Sequence, residues 1–214
     1  MWESKLDEAR ALKRRATALR NRGELGRARD TIIQAIQIFE SLRGEPQMPD
    51  AVAREVPGEL ADAFGIKGGI LRRMNDLKGA LDAYREGRKI EDQDKQSTYN
   101  LSNVITLEIT HEGRSSMDPE IRKDIREAVD RLTKDTQSAR KDEWWAWADL
   151  AQFCLLLNEP GAARAAYSSA RGTGMTAQEI KRHVEILREL SDKTAPEISQ
   201  TIRAAIIELE GWTA

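Results

Sequence analysis

Apolar residues recur along this chain at every third or fourth position, and charged residues fill the positions between them. Two consecutive runs near the N-terminus show the spacing: Leu12, Ala16 and Leu19, followed by Ala28, Ile32 and Ala35. This spacing places apolar side chains on one face of an α-helix. Strict alternation of apolar and polar residues, which is typical of a half-buried strand, is nearly absent from the sequence. The pattern therefore predicts an all-α fold.

The same pattern predicts ten helices joined by polar turns. Their expected ranges are about 3–21, 25–42, 58–74, 77–92, 97–111, 119–139, 143–157, 160–171, 177–191 and 196–210. Three capping signals mark expected helix starts: Asp118 before Pro119, Thr176 with Glu179, and Thr194 with Glu197. Three glycines mark expected helix ends: Gly44, Gly172 and Gly211. Residues 43–58 contain several prolines, so we expect a non-helical connection there.

Short turns at 21–24, 74–76 and 158–160 predict three antiparallel helical hairpins. In each hairpin a small residue of the first helix precedes a small residue of the second by twelve positions: Ala16 and Ala28, Gly68 and Ala80, Ala151 and Ala163. Small residues let two helices approach closely. The equal spacing therefore indicates an internal repeat.

The hairpins resemble the tetratricopeptide repeat, whose pattern is W-x2-L-G-x2-Y in the first helix and A-x3-F-x2-A in the second. The best agreement is in Trp147, Leu150, Ala151 and Cys154, followed by Ala163, Tyr167 and Ala170. The resemblance implies a TPR-like α-solenoid of antiparallel helix hairpins, with degenerate repeats, forming a single domain over residues 1–214. The implied units are about 3–42, 58–92, 97–139 and 143–171, followed by a C-terminal capping helix pair at 176–211.

The sequence offers no residue arrangement that is typical of catalysis or metal binding. Its two histidines, His111 and His183, lie in different predicted helices, without cysteines or carboxylates at ligand spacing. Cys154 is the single cysteine and is expected to be a small buried residue. The glycines of GIKGGI (65–70) fall inside a predicted helix, where they favour close helix contact over phosphate binding. We therefore expect no enzyme activity, no metal and no cofactor.

Composition and charge indicate the class of partner and the cellular compartment. Charged residues make up 33% of the chain and the formal net charge is −2, so a general polycationic surface for nucleic acid is not expected. The N-terminus lacks the apolar segment of a secretory signal, and no stretch is long and apolar enough for a membrane span. A single cysteine is typical of a reducing compartment. The sequence therefore predicts a cytoplasmic protein that does not enter a membrane.

Three tryptophans lie within KDEWWAWADL (141–150). Trp147 occupies the tryptophan position of the tetratricopeptide pattern, so we expect it to pack between helices. Trp144 lies about one turn earlier on the same side and is expected to pack as well. Trp145 projects about 100° away, toward the surface that lines the inner groove in this family. There it could anchor a partner, or neighbouring residues could cover it.

The resemblance implies that the first helices of the units line a concave groove. The groove residues that it implies are Arg10, Lys13, Arg20, Arg72, Arg73, Tyr99, Asn100, Asn103 and Trp145. Of all the charged groove positions, five are basic and one, Asp62, is acidic, so the expected partner is another protein or peptide, of acidic or mixed charge. The alternative is that these long cationic side chains only solvate a helix face.

Three functions stay open at this point. The first is a protein–protein interaction adaptor or scaffold that binds its partner in the groove. The second is a regulatory subunit, or a detached regulatory domain, that docks on an effector enzyme such as a protease, nuclease or kinase. The third and least favoured is nucleic-acid binding through the basic N-terminal helices, because aromatic residues are not interleaved with the basic ones. A homo-oligomer is compatible with each of them.

Overall fold

A computed structural model describes residues 2–94 and 97–213, and these residues contain helices and no strand. The helices are α1 (Trp2–Asn21), α2 (Leu25–Arg43), α3 (Asp50–Arg73), α4 (Leu77–Asp94), α5 (Tyr99–Thr110), α6 (Pro119–Thr136), α7 (Trp144–Leu156), α8 (Pro160–Gly172), α9 (Ala177–Ser191) and α10 (Pro196–Gly211). The all-α prediction is confirmed, and the helix bounds agree to within three residues except at the start of α3. Across the described part of the chain, no helix has both the length and the apolar character that a bilayer crossing requires.

The start of α3 corrects the predicted connection over residues 43–58. The helix begins at Asp50, so the non-helical segment is much shorter than expected. Val52 and Val56 lie one turn apart and are both buried, and their burial stabilises these extra turns. Pro57 lies inside the helix and lacks a backbone N–H, so it removes one helical hydrogen bond. Apolar packing outweighs this local cost, which is why the prolines misled the prediction.

Two of the three predicted capping signals are confirmed. The Asp118 side chain accepts hydrogen bonds from the first backbone N–H groups of α6, and Pro119 takes the first helical position. Thr176 and Glu179 form a reciprocal capping box at the start of α9. The glycine signals also lie at helix ends: Gly44 follows α2, and Gly172 and Gly211 end α8 and α10.

The third capping signal, Thr194 with Glu197, is wrong. Pro196 takes the first position of α10, so Ala195 becomes the N-cap and makes no side-chain cap. Proline suits this first position, and it forces the residue before it into an extended backbone. Ala195 accordingly has ψ 150°. The hydroxyl of Thr194 is buried and has no hydrogen-bond partner in the described chain.

Three helical hairpins, α1–α2, α3–α4 and α7–α8, share one turn geometry. The middle residue of each turn adopts a left-handed backbone: Gly23 at φ 80°, Asn75 at 63° and Asn158 at 64°. The next backbone N–H donates to a carbonyl five positions earlier: Glu24 to Leu19 at 3.0 Å, Asp76 to Leu71 at 2.9 Å, and Glu159 to Cys154 at 2.9 Å. Glycine and asparagine adopt this backbone region most readily. The molecule therefore has a helical, repeat-like all-α fold.

Small residues face the partner helix in each hairpin, as predicted. They are buried: Ala16, Ala28, Gly68, Ala80, Ala151 and Ala163. In α3 the contact leaves no room for a side chain, since a Cβ on Gly68 would lie 2.6 Å from the Tyr84 ring. A Cβ on Gly65 would lie 2.7 Å from the Tyr99 ring. The expectation that the glycines of GIKGGI serve close helix contact is confirmed.

One domain was predicted over residues 1–214, and the contacts divide the chain into two compact units. Their boundary lies between Val104 and Ile105, within α5. In the first unit α1 packs on α2, α2 on α3 and α3 on α4, and α1 also contacts α3. In the second unit α6 packs on α7, α7 on α8 and α9 on α10, and α10 contacts both α7 and α8.

Candidate functional site

The first and third helices meet along a surface that contains several predicted groove residues. This α1–α3 surface consists of Arg10, Lys13, Thr17 and Arg20 on α1, and Glu55, Glu59, Asp62, Gly69 and Arg73 on α3. Thr17 belongs to it because it lies one turn from Lys13 and shares its helix face. Four predicted groove residues, Arg10, Lys13, Arg20 and Arg73, are thus brought together in the first unit.

Arg10 and Lys13 are paired with carboxylates of α3. Arg10 Nε donates to Glu59 at 2.7 Å, and its Nη2 donates to Glu55. Lys13 Nζ contacts Glu59 and donates to Asp62 at 2.5 Å. Hydrogen bonds to Glu55 and Glu59 raise the pKa of Arg10, whereas for Lys13 burial lowers the pKa and the two nearby carboxylates more than reverse that effect. This stretch of the surface therefore pairs two cations with three carboxylates and has a slight excess of negative charge.

Two of the acidic partners, Glu55 and Glu59, were missed, and Glu55 fell in the predicted connection, whereas Asp62 was expected in the groove. Glu55, Glu59 and Asp62 are spaced at i, i+4 and i+7, which places them on one face of a helix. Arg10, Lys13 and Thr17 have a similar spacing on one face of α1. The side chains on this face of α1 can therefore lie opposite the carboxylates of α3. The signal was in the sequence, but it could be read only once α3 was extended back to Asp50.

Basic residues occupy the other end of the α1–α3 surface. Arg73 Nη1 donates to the backbone carbonyl of Arg20 at 3.1 Å and so ties the end of α1 to the end of α3. Arg20 Nη1 lies 3.4 Å, and the Tyr84 hydroxyl 3.7 Å, from the point where a Cβ on Gly69 would stand. Arg20 Nε is buried without a hydrogen-bond partner in the described chain.

Tyr84, on α4, lies between the basic end of the α1–α3 surface and Tyr99 of α5. Burial raises the pKa of Tyr84 far above its usual value, and the positive charges of Arg72 and Arg20 partly oppose that rise. A hydrogen bond with Tyr99 adds to the rise in the pKa of Tyr84. The ring of Tyr99 packs edge-on against Tyr84, with centroids 6.3 Å apart. Arg72 and Tyr99 are each half-buried.

Asn100 and Asn103 bond to their own unit. Asn100 is fully buried, and its Nδ2 donates to the Ala61 carbonyl and to Glu91, both at 3.0 Å. Burial raises the pKa of Glu91, although N–H groups at the start of α5 donate to its carboxylate. Asn103 is half-buried and donates to the Tyr99 carbonyl at 2.9 Å. The Asn100 amide nitrogen is thus occupied inside the protein, whereas its buried Oδ1 has no hydrogen-bond partner in the described chain.

The three tryptophans of residues 141–150 lie in the second unit, and each of them is half-buried. The guanidinium of Arg140 lies over Trp145, 5.1 Å from the ring centroid. This is cation–π geometry, and it covers part of the ring. Trp147 donates from Nε1 to the Lys141 carbonyl at 2.9 Å. A partner-anchoring role for Trp145 stays a prediction.

A groove that the sequence did not indicate lies between α8 and α10. Its volume is about 340 Å³, and its walls include Leu155, Tyr167, Leu209 and Trp212. An ion pair between Arg164 and Glu208 at 2.9 Å crosses its rim. Small residues of α8 and α10 complete the lining and leave room for apolar side chains.

The titratable side chains of the second unit show little reactive chemistry. Cys154 is buried, as predicted, and burial raises the pKa of its thiol to about 11, which disfavours the reactive thiolate. His183 is buried against the Tyr167 hydroxyl at 2.9 Å. Over the part of the chain that the structure describes, no group of three or more His, Cys, Asp or Glu side chains is arranged to hold a metal.

Comparisons with known protein families and curated proteins add no information on this geometry. No family model matches the chain, and no curated protein does. The resemblance to the tetratricopeptide repeat therefore rests on the residue spacing, the shared turn geometry and the buried small residues.

Proposed function

We propose that this chain is a non-enzymatic adaptor or scaffold of tetratricopeptide type that binds a segment of another protein along the α1–α3 surface. The likeness to that family is supported by the three hairpins, which share their turns and their buried small residues. In an array of this kind the first helices of successive hairpins stand side by side and form the binding face. The contact between α1 and α3 agrees with that arrangement.

The observation that carries the proposal is the uneven charge of the α1–α3 surface. Toward the start of α3, Glu55, Glu59 and Asp62 pair with cations of α1. Beyond Asp62 the helix contains no further acidic residue, and α1 contains none beyond Glu8. A surface that changes from slightly acidic to cationic along its length gives an extended partner both a position and a direction. The complementary partner is a segment with acidic residues at one end.

A photo-cross-linking amino acid placed at Thr17 tests this proposal. Thr17 is half-buried on the α1–α3 surface, whereas the control position, Gln37, is exposed on α2. With both variants expressed in cells of the source organism, the proposal expects a discrete protein adduct from Thr17 and none of the same mass from Gln37. Adducts from Gln37 with none from Thr17 would place the binding surface elsewhere.

A further inference from the structure

We infer that the outer face of α1 is a second interaction surface, which binds a short run of aspartate or glutamate residues of a partner protein through Arg14, Arg15 and Arg22. The face consists of these three arginines with Ala11 and Ala18, and we call it the arginine face. Its centre lies about 130° around α1 from the centre of the α1–α3 surface, so the inference does not rest on the proposed function.

Basic residues are concentrated in the first hairpin. Residues 9–29 contain eight basic residues and one acidic residue, Glu24, whereas the whole chain contains 34 basic and 36 acidic residues. The excess of positive charge is therefore local, on α1, the turn after it and the start of α2. Such a region attracts an anionic partner although the net charge of the chain is slightly negative.

Three of these eight basic side chains have no neighbour of opposite charge. Four others are paired with a carboxylate: Arg10, Lys13, Arg27 and Arg29. A fifth, Arg20, is half-buried beside Gly69 of α3. The remaining ones, Arg14, Arg15 and Arg22, are exposed, and their side chains make no hydrogen bond or ion pair within the described chain. Their guanidinium groups are therefore available to a partner.

The three arginines share one face of a continuous helical path. Arg14 and Arg15 lie on either side of the line that joins Ala11 to Ala18, because successive residues are about 100° apart on a helix. Arg22 follows the last residue of α1, and its backbone N–H donates to the Ala18 carbonyl at 3.2 Å, which extends that path. The arginines span about 12 Å along the axis. The short alanine side chains leave room for an extended segment to lie between the guanidinium groups.

Stabilisation of the helix end does not account for all three arginines. A basic residue near a helix C-terminus interacts favourably with the macrodipole, and this effect is confined to about the last turn. Arg22 meets that condition, whereas Arg14 and Arg15 lie about two turns before α1 ends at Asn21. The exposed positive charge at these two positions therefore has no counterpart in the fold of the hairpin.

The composition of the arginine face favours an acidic protein segment over other polyanions. A guanidinium binds the two oxygens of a carboxylate through parallel N–H groups. The face carries no aromatic residue for base stacking and no large apolar residue for insertion into a lipid surface. Asp7 lies one turn before Ala11, and the net charge of the chain is −2, so an extended nucleic acid would meet repulsion beyond the face. A short acidic segment fits within it.

An NMR titration with an acidic peptide tests the inference. The probe is N-acetylated hexaglutamate, which spans about 20 Å when extended. N-acetylated hexaserine is the uncharged control peptide, and a thymidine oligonucleotide of equal charge is the competing polyanion. The backbone amides of Ala11 and Ala18 are the reporters, at low ionic strength, where exposed ion pairs are least screened.

Two triple variants remove equal charge from different surfaces. The first combines Arg14→Gln, Arg15→Gln and Arg22→Gln. The control combines Lys89→Gln, Lys123→Gln and Arg164→Gln, whose wild-type side chains are 67%, 75% and 71% exposed. Both variants should keep the helicity and melting temperature of wild type, because all six side chains are exposed.

The inference expects saturable hexaglutamate binding, with shifts at Ala11 and Ala18, in wild type and in the control variant. Affinity should fall about tenfold or more in the arginine variant, as expected for the loss of three exposed charge pairs. Binding that does not saturate, equal affinity in all three proteins, or equal shifts with hexaserine would overturn the inference. Tighter binding of the oligonucleotide than of hexaglutamate would overturn the assignment to a protein partner.

Discussion

Gly68 of α3 and Gly87 of α4 lie where large side chains pass close to the backbone. A Cβ on Gly68 would meet Tyr84, and one on Gly87 would lie 2.4 Å from the Asn100 side chain. The hairpin α1–α2 solves the same packing problem differently, with Ala16 and Ile32 at the corresponding positions. The small residue on one helix and the large residue on the other are therefore expected to be energetically coupled.

Replacing Gly68 by Ala should destabilise the protein by about 1–3 kcal/mol, because the new methyl group overpacks the contact with Tyr84. The further change Tyr84→Ile reproduces the pair found in α1–α2 and should recover part of the loss. Chemical denaturation of both single variants and the double variant measures the coupling. Strictly additive losses would contradict the packing described for this hairpin.

His183 makes stability depend on pH. Burial lowers its pKa to about 4, whereas an unfolded histidine has a pKa of about 6.5. Between about pH 6.5 and 4, His183 is protonated in the unfolded chain but neutral in the native protein. The free energy of unfolding should therefore fall as the pH drops from about 6.5 to 4, by about 3 kcal/mol in total. The measurement is the free energy of unfolding of wild type relative to His183→Gln. A difference that does not vary with pH would show that His183 is not buried as described.

Residue-level prediction from sequence succeeded where the signal was local. Small buried residues followed from spacing within one hairpin, as for Ala151 and Ala163. The carboxylate partners of Arg10 and Lys13 did not follow from spacing within one hairpin, because an ion pair between two helices depends on where the second helix begins. Burial of Asn100 also escaped prediction, since its contact with Glu91 joins two different helices, α4 and α5.

At the scale of helices, a capping side chain or a first-turn proline marks the starts of α6, α8, α9 and α10. Sequence patterns set the start of α6 and α9 correctly, because an N-cap side chain bonds within three residues of itself. They failed at α3, where buried apolar residues outweighed the effect of Pro57. They also failed at α10, where Pro196 shifted the cap by one residue.

Two threonines test this account of the helix starts. Thr176→Ala removes the capping box of α9 and should cost about 0.5–2 kcal/mol. Thr194→Ala removes a buried hydroxyl that makes no hydrogen bond in the described chain, so it should change stability by less than about 0.5 kcal/mol. Thermal unfolding of the two variants side by side gives the comparison. Equal losses would mean that Thr194 caps α10 after all.

At the scale of the whole molecule, α9 and α10 protect apolar surface of the second unit. Their apolar residues at helical spacing are buried: Ile180, Val184, Leu187, Ile198, Ile202 and Ile206. Helix α10 also packs on α7 and α8. Sequence periodicity revealed these apolar faces, but it carried no information on which neighbouring helices they would contact.

A chain that ends at Met175 should expose the surfaces of α7 and α8 that α10 contacts. Uncovered apolar surface of this kind promotes association. Size-exclusion chromatography and binding of a hydrophobic dye are expected to show aggregates and increased fluorescence relative to the full chain. A monomeric truncated protein with unchanged dye binding would contradict a protective role for the C-terminal pair.

The most direct test of partner binding along the α1–α3 surface compares two charge reversals of equal size. One variant combines Arg72→Glu with Arg73→Glu at the cationic end, and the other combines Arg27→Glu with Lys89→Glu. The control side chains are each 67% exposed and lie on α2 and α4. Both proteins serve as bait for the partner identified by cross-linking, after equal helicity and melting have been established. The account predicts that the first variant loses the partner and the second retains it; retention by both, or loss by both, would contradict it.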